Sequence, residues 1–142
     1  VQAGTYAGYK AWIDANRPAV DYAGRYYIAS NVCLVECLKY GAIHVRLYST
    51  DILTFLVGEY FSVDCGSYHT MTTVNRLNQF GPPGVSFWRY RNVVRCSRGE
   101  IGIGIFHPVY PPPAPEPEPE PVVHVTPRVV TAGRPRRRLI QI

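Results

Sequence analysis

A chain of 142 residues, 46% apolar and with a net charge of +5, has room for one domain with a modest core. It holds no run of the ~18 consecutive apolar residues that a membrane-spanning helix needs. Its first residues, VQAGTYAGYKAWIDANRP, lack the basic-then-apolar order of a signal peptide.

In chain order, residues 4–16 set Tyr6, Tyr9, Trp12 and Ile13 at helical spacing, with Asn16 before Arg17-Pro18 as a stop, and predict a short amphipathic helix. Residues 17–31 read as a loop with a short strand at RYYIA. NVCLVECLKY, AIHVRLY, DILTFLV and EYFSVDC then form β-branched and aromatic runs, punctuated by Tyr40-Gly41, Ser49-Thr50 and Val57-Gly58, as in an antiparallel meander. Ile43, Val45 and Leu47 alternate with His44, Arg46 and Tyr48, so one face of that strand is apolar and the other polar.

After Gly66 the period changes. Val74, Leu77 and either Asn78 or Phe80 share a helix face, while Asn75, Arg76 and Gln79 lie opposite. Thr72 is the expected N-cap, with Thr70 in support, and Gly81-Pro82-Pro83-Gly84 ends the helix. VSFWRYR and VVRC read as a hairpin turning at Asn92, and IGIGIF, 101–106, as a final short strand. The expected class is α+β: a small antiparallel sheet of hairpins with one or two short helices over 1–107. A Pro/Glu-rich linker over 108–121 is expected to be an extended polyproline II rod, followed by a basic arm over 122–142.

One block resembles a known family. VRLYSTDILTF, DCGSYHTMTTVNRLNQF and PPGVSFWRYRNVV look like short, uncharacterised proteins of tailed bacteriophages, with a strand containing R-L-x-x-T-x-I and a Gly-Gly-aromatic-x-T-x-T-T-x-x-R-I-N segment. The matching residues are Arg46, Leu47, Thr50, Ile52, Gly66, Tyr68, Thr70, Thr72, Thr73, Arg76, Leu77 and Asn78; Ser67 stands where a second glycine is usual. The resemblance implies a phage origin, and with it the host cytoplasm or the virion as location, but no mechanism.

Several residues invite a chemical reading. Asp64, Cys65, Ser67 and His69 fall within six positions, but alternation along a strand sends Asp64 and Cys65 to opposite faces. A nucleophilic role would require a low-pKa Cys65; the expectation is that they are architecture and the protein no enzyme. Cys33, Cys37, Cys65 and Cys96 lack paired zinc-knuckle spacing and are expected to be mostly buried thiols, with a disulfide or a metal as lesser alternatives. No catalytic residue, metal ligand or cofactor is assigned.

The binding candidate is FWRYRNVVRCSR, where Trp88, Arg89, Arg91, Arg95 and Arg98 mix cations with the aromatics Phe87 and Tyr90, a pattern that holds single-stranded nucleic acid. Against this, alternation can turn Trp88 and Tyr90 into the core. Arg76 and Asn78 can contact nucleic acid or tie their helix to a neighbouring strand, and the latter is favoured. Arg134, Arg136, Arg137 and Arg138 complete the cationic set. The expected function is non-enzymatic phage-type binding, with nucleic acid first. The alternative is a virion or assembly component whose arm docks on other phage proteins or on further copies of this chain.

Overall fold

The computed structural model describes residues 4–110. Helix α1 (Tyr6–Ala15) leads into β1 (Arg25–Ala29), β2 (Val32–Cys37), β3 (Ala42–Leu47), β4 (Thr50–Leu56) and β5 (Tyr60–Val63). Helix α2 (Met71–Phe80), the hairpin β6 (Phe87–Tyr90) and β7 (Val93–Cys96), and the two-residue β8 (His107–Pro108) follow. Strands β1 to β5 form an antiparallel meander whose far edge is closed by β8, in the order β1-β2-β3-β4-β5-β8, while β6 and β7 make a separate ribbon. The α+β class and the meander are as expected.

The alternation in β3 is realised: Ile43, Val45 and Leu47 are buried, and His44 and Arg46 are half-exposed on the other face. Across the sheet Val45 pairs with Leu34 and Leu53, and Leu53 with Val63, giving an apolar row beneath the helices. The opposite face carries the row His44, Thr54 and Ser62, with His44 Nδ1 2.8 Å from Thr54 Oγ1. A bulge in β3–β4 lets Arg46 pair with Asp51, whose Oδ1 accepts from Arg46 Nε at 2.7 Å.

Helix α1 ends at Asn16, as the sequence indicates, and its N-terminus is capped twice. Thr5 Oγ1 accepts from the Gly8 amide, and the Glu59 carboxylate, from the β4–β5 turn, accepts from the amides of Tyr6 (2.8 Å) and Ala7 (3.2 Å). Three of the four amides that a helix leaves without internal partners are thereby satisfied. Tyr9 and Ile13 are fully buried; the Tyr9 ring lies 5.3 Å from that of Phe55, and its hydroxyl donates to the Phe80 carbonyl at 2.6 Å.

Two expectations are corrected. Helix α2 starts two residues earlier than expected, because Thr70, in extended conformation, accepts from the Thr73 amide at 3.2 Å; Thr70 is the N-cap and Thr72 lies in the first turn. IGIGIF is not a strand but is bent around a single turn: Gly102 and Gly104 have φ of 153° and 80°, and the Ile105 amide donates to the Gly102 carbonyl. Glycine at alternate positions offers nothing to pack and permits the backbone to leave the β region. Pairing resumes at His107, and the buried Val109 sends its amide to the Glu59 carbonyl at 2.8 Å, so packing continues through that residue.

Glu36 joins α1 to the sheet. Its side chain is 8% exposed and receives Arg17 Nη1 at 2.7 Å together with Lys10 Nζ. The Arg17 hydrogen bond, then Lys10, hold its carboxyl below the ordinary value of 4.5 against the cost of burial. A carboxyl lowered by folding stabilises the native state fully above its unfolded value, and that contribution is lost as pH falls through the folded value. Thermal melts of the wild type are therefore expected to decline below about pH 4.5. Glu36→Gln lowers Tm at neutral pH by about 5 °C or more and flattens the acid decline; an unchanged acid limb would contradict this role.

Candidate nucleic-acid interface

The β6–β7 ribbon turns at Arg91-Asn92, whose φ values of 53° and 62° are both in the left-handed region, as a two-residue primed turn requires. This sets the register Phe87↔Cys96, Trp88↔Arg95, Arg89↔Val94 and Tyr90↔Val93. Phe87, Val94 and Cys96 face inward and are buried. Trp88 (44% exposed) and Tyr90 (55%) face outward, which corrects the alternative that places them in the core; Phe87 occupies that place instead.

Arg95 is thus opposite Trp88 on the outward face, and its guanidinium carbon lies 5.9 Å from the Tyr90 ring centre; that of Arg91 lies 5.3 Å from it. Both are within cation–π range. Arg89 falls on the other face, where Nη2 donates to Asn92 Oδ1 at 2.7 Å. Arg98 does something different: its guanidinium donates to the carbonyls of Pro108 and Val109, the latter at 2.9 Å, and lies over Phe61, so it fastens β8 to the end of β7. Arg134, Arg136, Arg137 and Arg138, the Pro/Glu rod and the arm-docking alternative lie outside the described residues.

The electrostatic setting is uneven. Asp14, Asp21, Glu36 and Asp51 are each paired with Lys10, Arg17, Arg25 or Arg46. Among the described residues no carboxylate reaches ion-pair distance of Arg89, Arg91, Arg95 or Arg98. Glu59 is spent on the amides of α1, and Asp64 Oδ1 accepts from the Gly66 amide.

Side chains take the place of strands at both edges of the ribbon. Asn78 is bonded to Phe87 twice, Nδ2 donating to its carbonyl and Oδ1 accepting from its amide, each at 2.9 Å. On the far edge His69 Nδ1 accepts from the Val94 amide at 2.9 Å. Arg76 donates to Gln79 and to Asn31 Oδ1 (2.8 Å), beside the start of β2. The favoured reading of Arg76 and Asn78 as ties between the helix and its neighbours matches this geometry.

The stretch from Asp64 to His69 is a corner. Gly66 has φ of 57°, and the Tyr68 amide donates to the Cys65 carbonyl at 2.8 Å. Burial, with a smaller effect of Asp64, pushes the Cys65 thiol up to about 11, so at neutral pH it is protonated rather than a thiolate nucleophile. Among the described residues no three His, Cys, Asp or Glu side chains converge as a metal site. No helix there is long and apolar enough to cross a membrane.

Two cavities are notable. One of about 340 Å³ lies between the β3–β4 turn and the start of α2, lined by Tyr48, Thr50, Tyr68, Thr70 and Thr72 among others. Leu47, Thr50, Ile52, Tyr68, Thr70, Thr72 and Thr73, seven residues of the sequence block described above, line it. The other, of about 560 Å³, runs along β7, where it is lined by the outward Trp88 and Arg95, the inward Val94 and Cys96, and Glu100 among others. The sequence carried no signal for Glu100, because an isolated acid outside any helix or strand has no motif around it.

No family model matches the chain, and neither does any curated protein or solved structure.

All four cysteines are free; Cys33, Cys65 and Cys96 are buried and Cys37 is half-buried. Ellman's reagent is expected to react with Cys37 in a fast phase that Cys37→Ser abolishes, and with the other three only as the domain opens. A second fast thiol lost in Cys65→Ser would contradict the burial of that corner.

Proposed function

We propose that this protein is a non-enzymatic, phage-type binding protein that holds single-stranded nucleic acid on the outward face of the β6–β7 ribbon. One observation carries the reading: Trp88 and Tyr90 stand exposed on the same face as Arg95, with Arg91 over Tyr90 and, among the described residues, no carboxylate paired with either arginine. Exposed aromatic faces stack bases irrespective of sequence, and adjacent guanidinium groups neutralise phosphates. The unpaired cations make the field of this ribbon positive while the α1 side of the domain is internally compensated. Arg91 supplies a further backbone contact; Arg89, on the other face and bonded to Asn92, does not reach this strand, and Arg98, committed to two carbonyls, contributes to stability more than to affinity.

Binding of labelled oligothymidylate by the full chain is expected to weaken with salt, since each phosphate contact on a single strand contributes a slope of about −0.7 in log K against log salt. Trp88→Ala costs about 1–3 kcal/mol of affinity with the salt slope retained, the signature of lost stacking. Arg95→Ala reduces affinity and flattens the slope by about one. An absence of binding at low salt, or salt-independent binding, overturns the reading.

A further inference from the structure

A stacking platform leaves the adjoining cavity of about 560 Å³ without a role. Its size is within the range of small-molecule sites. Its wall includes Trp88, Arg95, His69, Glu100, Val93 and Ile101. Trp88 and Arg95 are cross-strand partners, so an aromatic ring and a guanidinium are held side by side. Because His69 Nδ1 accepts from Val94, the neutral ring carries its proton on Nε2 and is a donor there. Glu100 is the one carboxylate among the residues of this wall, and no cation among the described residues pairs with it. On a surface carrying Arg91 and Arg95, a carboxylate opposes phosphate binding. Its chemistry suits a different target, the N–H groups of a base.

We infer that this cavity takes a guanine base of the bound strand, an assignment that rests on the nucleic-acid reading of the ribbon. Guanine offers two adjacent donors, N1–H and the N2 amino group, that a single carboxylate can accept together, and its O6 and N7 acceptors suit a guanidinium. Adenine and cytosine place a ring acceptor beside their amino donor, which a carboxylate repels, and thymine and uracil flank one N–H with two carbonyls. Glu100 reads the donor edge, Arg95 the acceptor edge, and Trp88 supplies the stacking surface. Val93 and Ile101 contribute the apolar part of the wall.

The test is fluorescence anisotropy of the full chain with three labelled oligomers of equal length: oligothymidylate, the same with isolated guanosines, and the same with adenosines at those positions. The guanosine oligomer is expected to bind about tenfold more tightly than the other two. Glu100→Gln brings all three to within about twofold, while oligothymidylate binds no more weakly than before. Equal binding of guanosine and adenosine oligomers, or a guanine preference that survives Glu100→Gln, overturns the assignment and leaves the platform standing. Failure of all three oligomers to bind overturns both.

Discussion

The Tyr9 hydroxyl, buried among apolar side chains, has the Phe80 carbonyl as its partner, and that one hydrogen bond joins the two helices above the sheet. A carbonyl at the end of α2 has no further turn of helix to satisfy it, and a buried phenol without an acceptor would cost roughly 1–3 kcal/mol. Each group solves the other's problem. Because the Tyr9 ring also packs on Phe55 of β4, the contact fixes helix, helix and sheet together. The end of α2 then determines where Gly81-Pro82-Pro83-Gly84 turns, and Asn78 on the same helix grips β6. The orientation of the arginine-bearing ribbon is thus inherited from a buried tyrosine on α1.

The charges follow the same division. Around α1 and the first strands, carboxylates and cations are interleaved and mutually satisfied, Glu36 between Lys10 and Arg17 being the most buried instance. Such pairs organise the packing and leave little external field. The ribbon, built from a later segment of the chain, has cations that pair with no carboxylate among the described residues. That contrast, more than the net charge of +5, distinguishes its surface from the α1 side of the described domain.

Much of the architecture could be read from residue pattern. The alternation Ile43, Val45, Leu47 against His44, Arg46 identifies β3 because a sheet with one apolar face demands period two, and Asn92 marks the hairpin because a primed turn demands positive φ. What escaped was set by tertiary contacts. Thr70 and Thr72 are chemically equal as caps, and only the path of the chain from the Gly66 corner selects Thr70. IGIGIF has strand-like letters, but its glycines turn and the pairing positions beside β5 go to His107 and Pro108. Trp88 and Phe87 are interchangeable as core candidates until the docking of the ribbon on α2 decides which face is inward. The outward arginines were legible as a group, whereas the separate task of Arg98 required the position of β8.

Two-stranded ribbons are marginal alone and present unpaired edges that recruit other strands. In the antiparallel pattern Phe87 and Val94 direct their backbone groups away from the partner strand, and it is at these places that Asn78 and His69 bind. A carboxamide and an imidazole thereby do the work of additional strands without adding width. Part of each edge is thereby occupied, while the outward face of the ribbon keeps Trp88 and Tyr90 exposed. Edge bonding and an exposed aromatic face are thus combined on one narrow ribbon by two side chains.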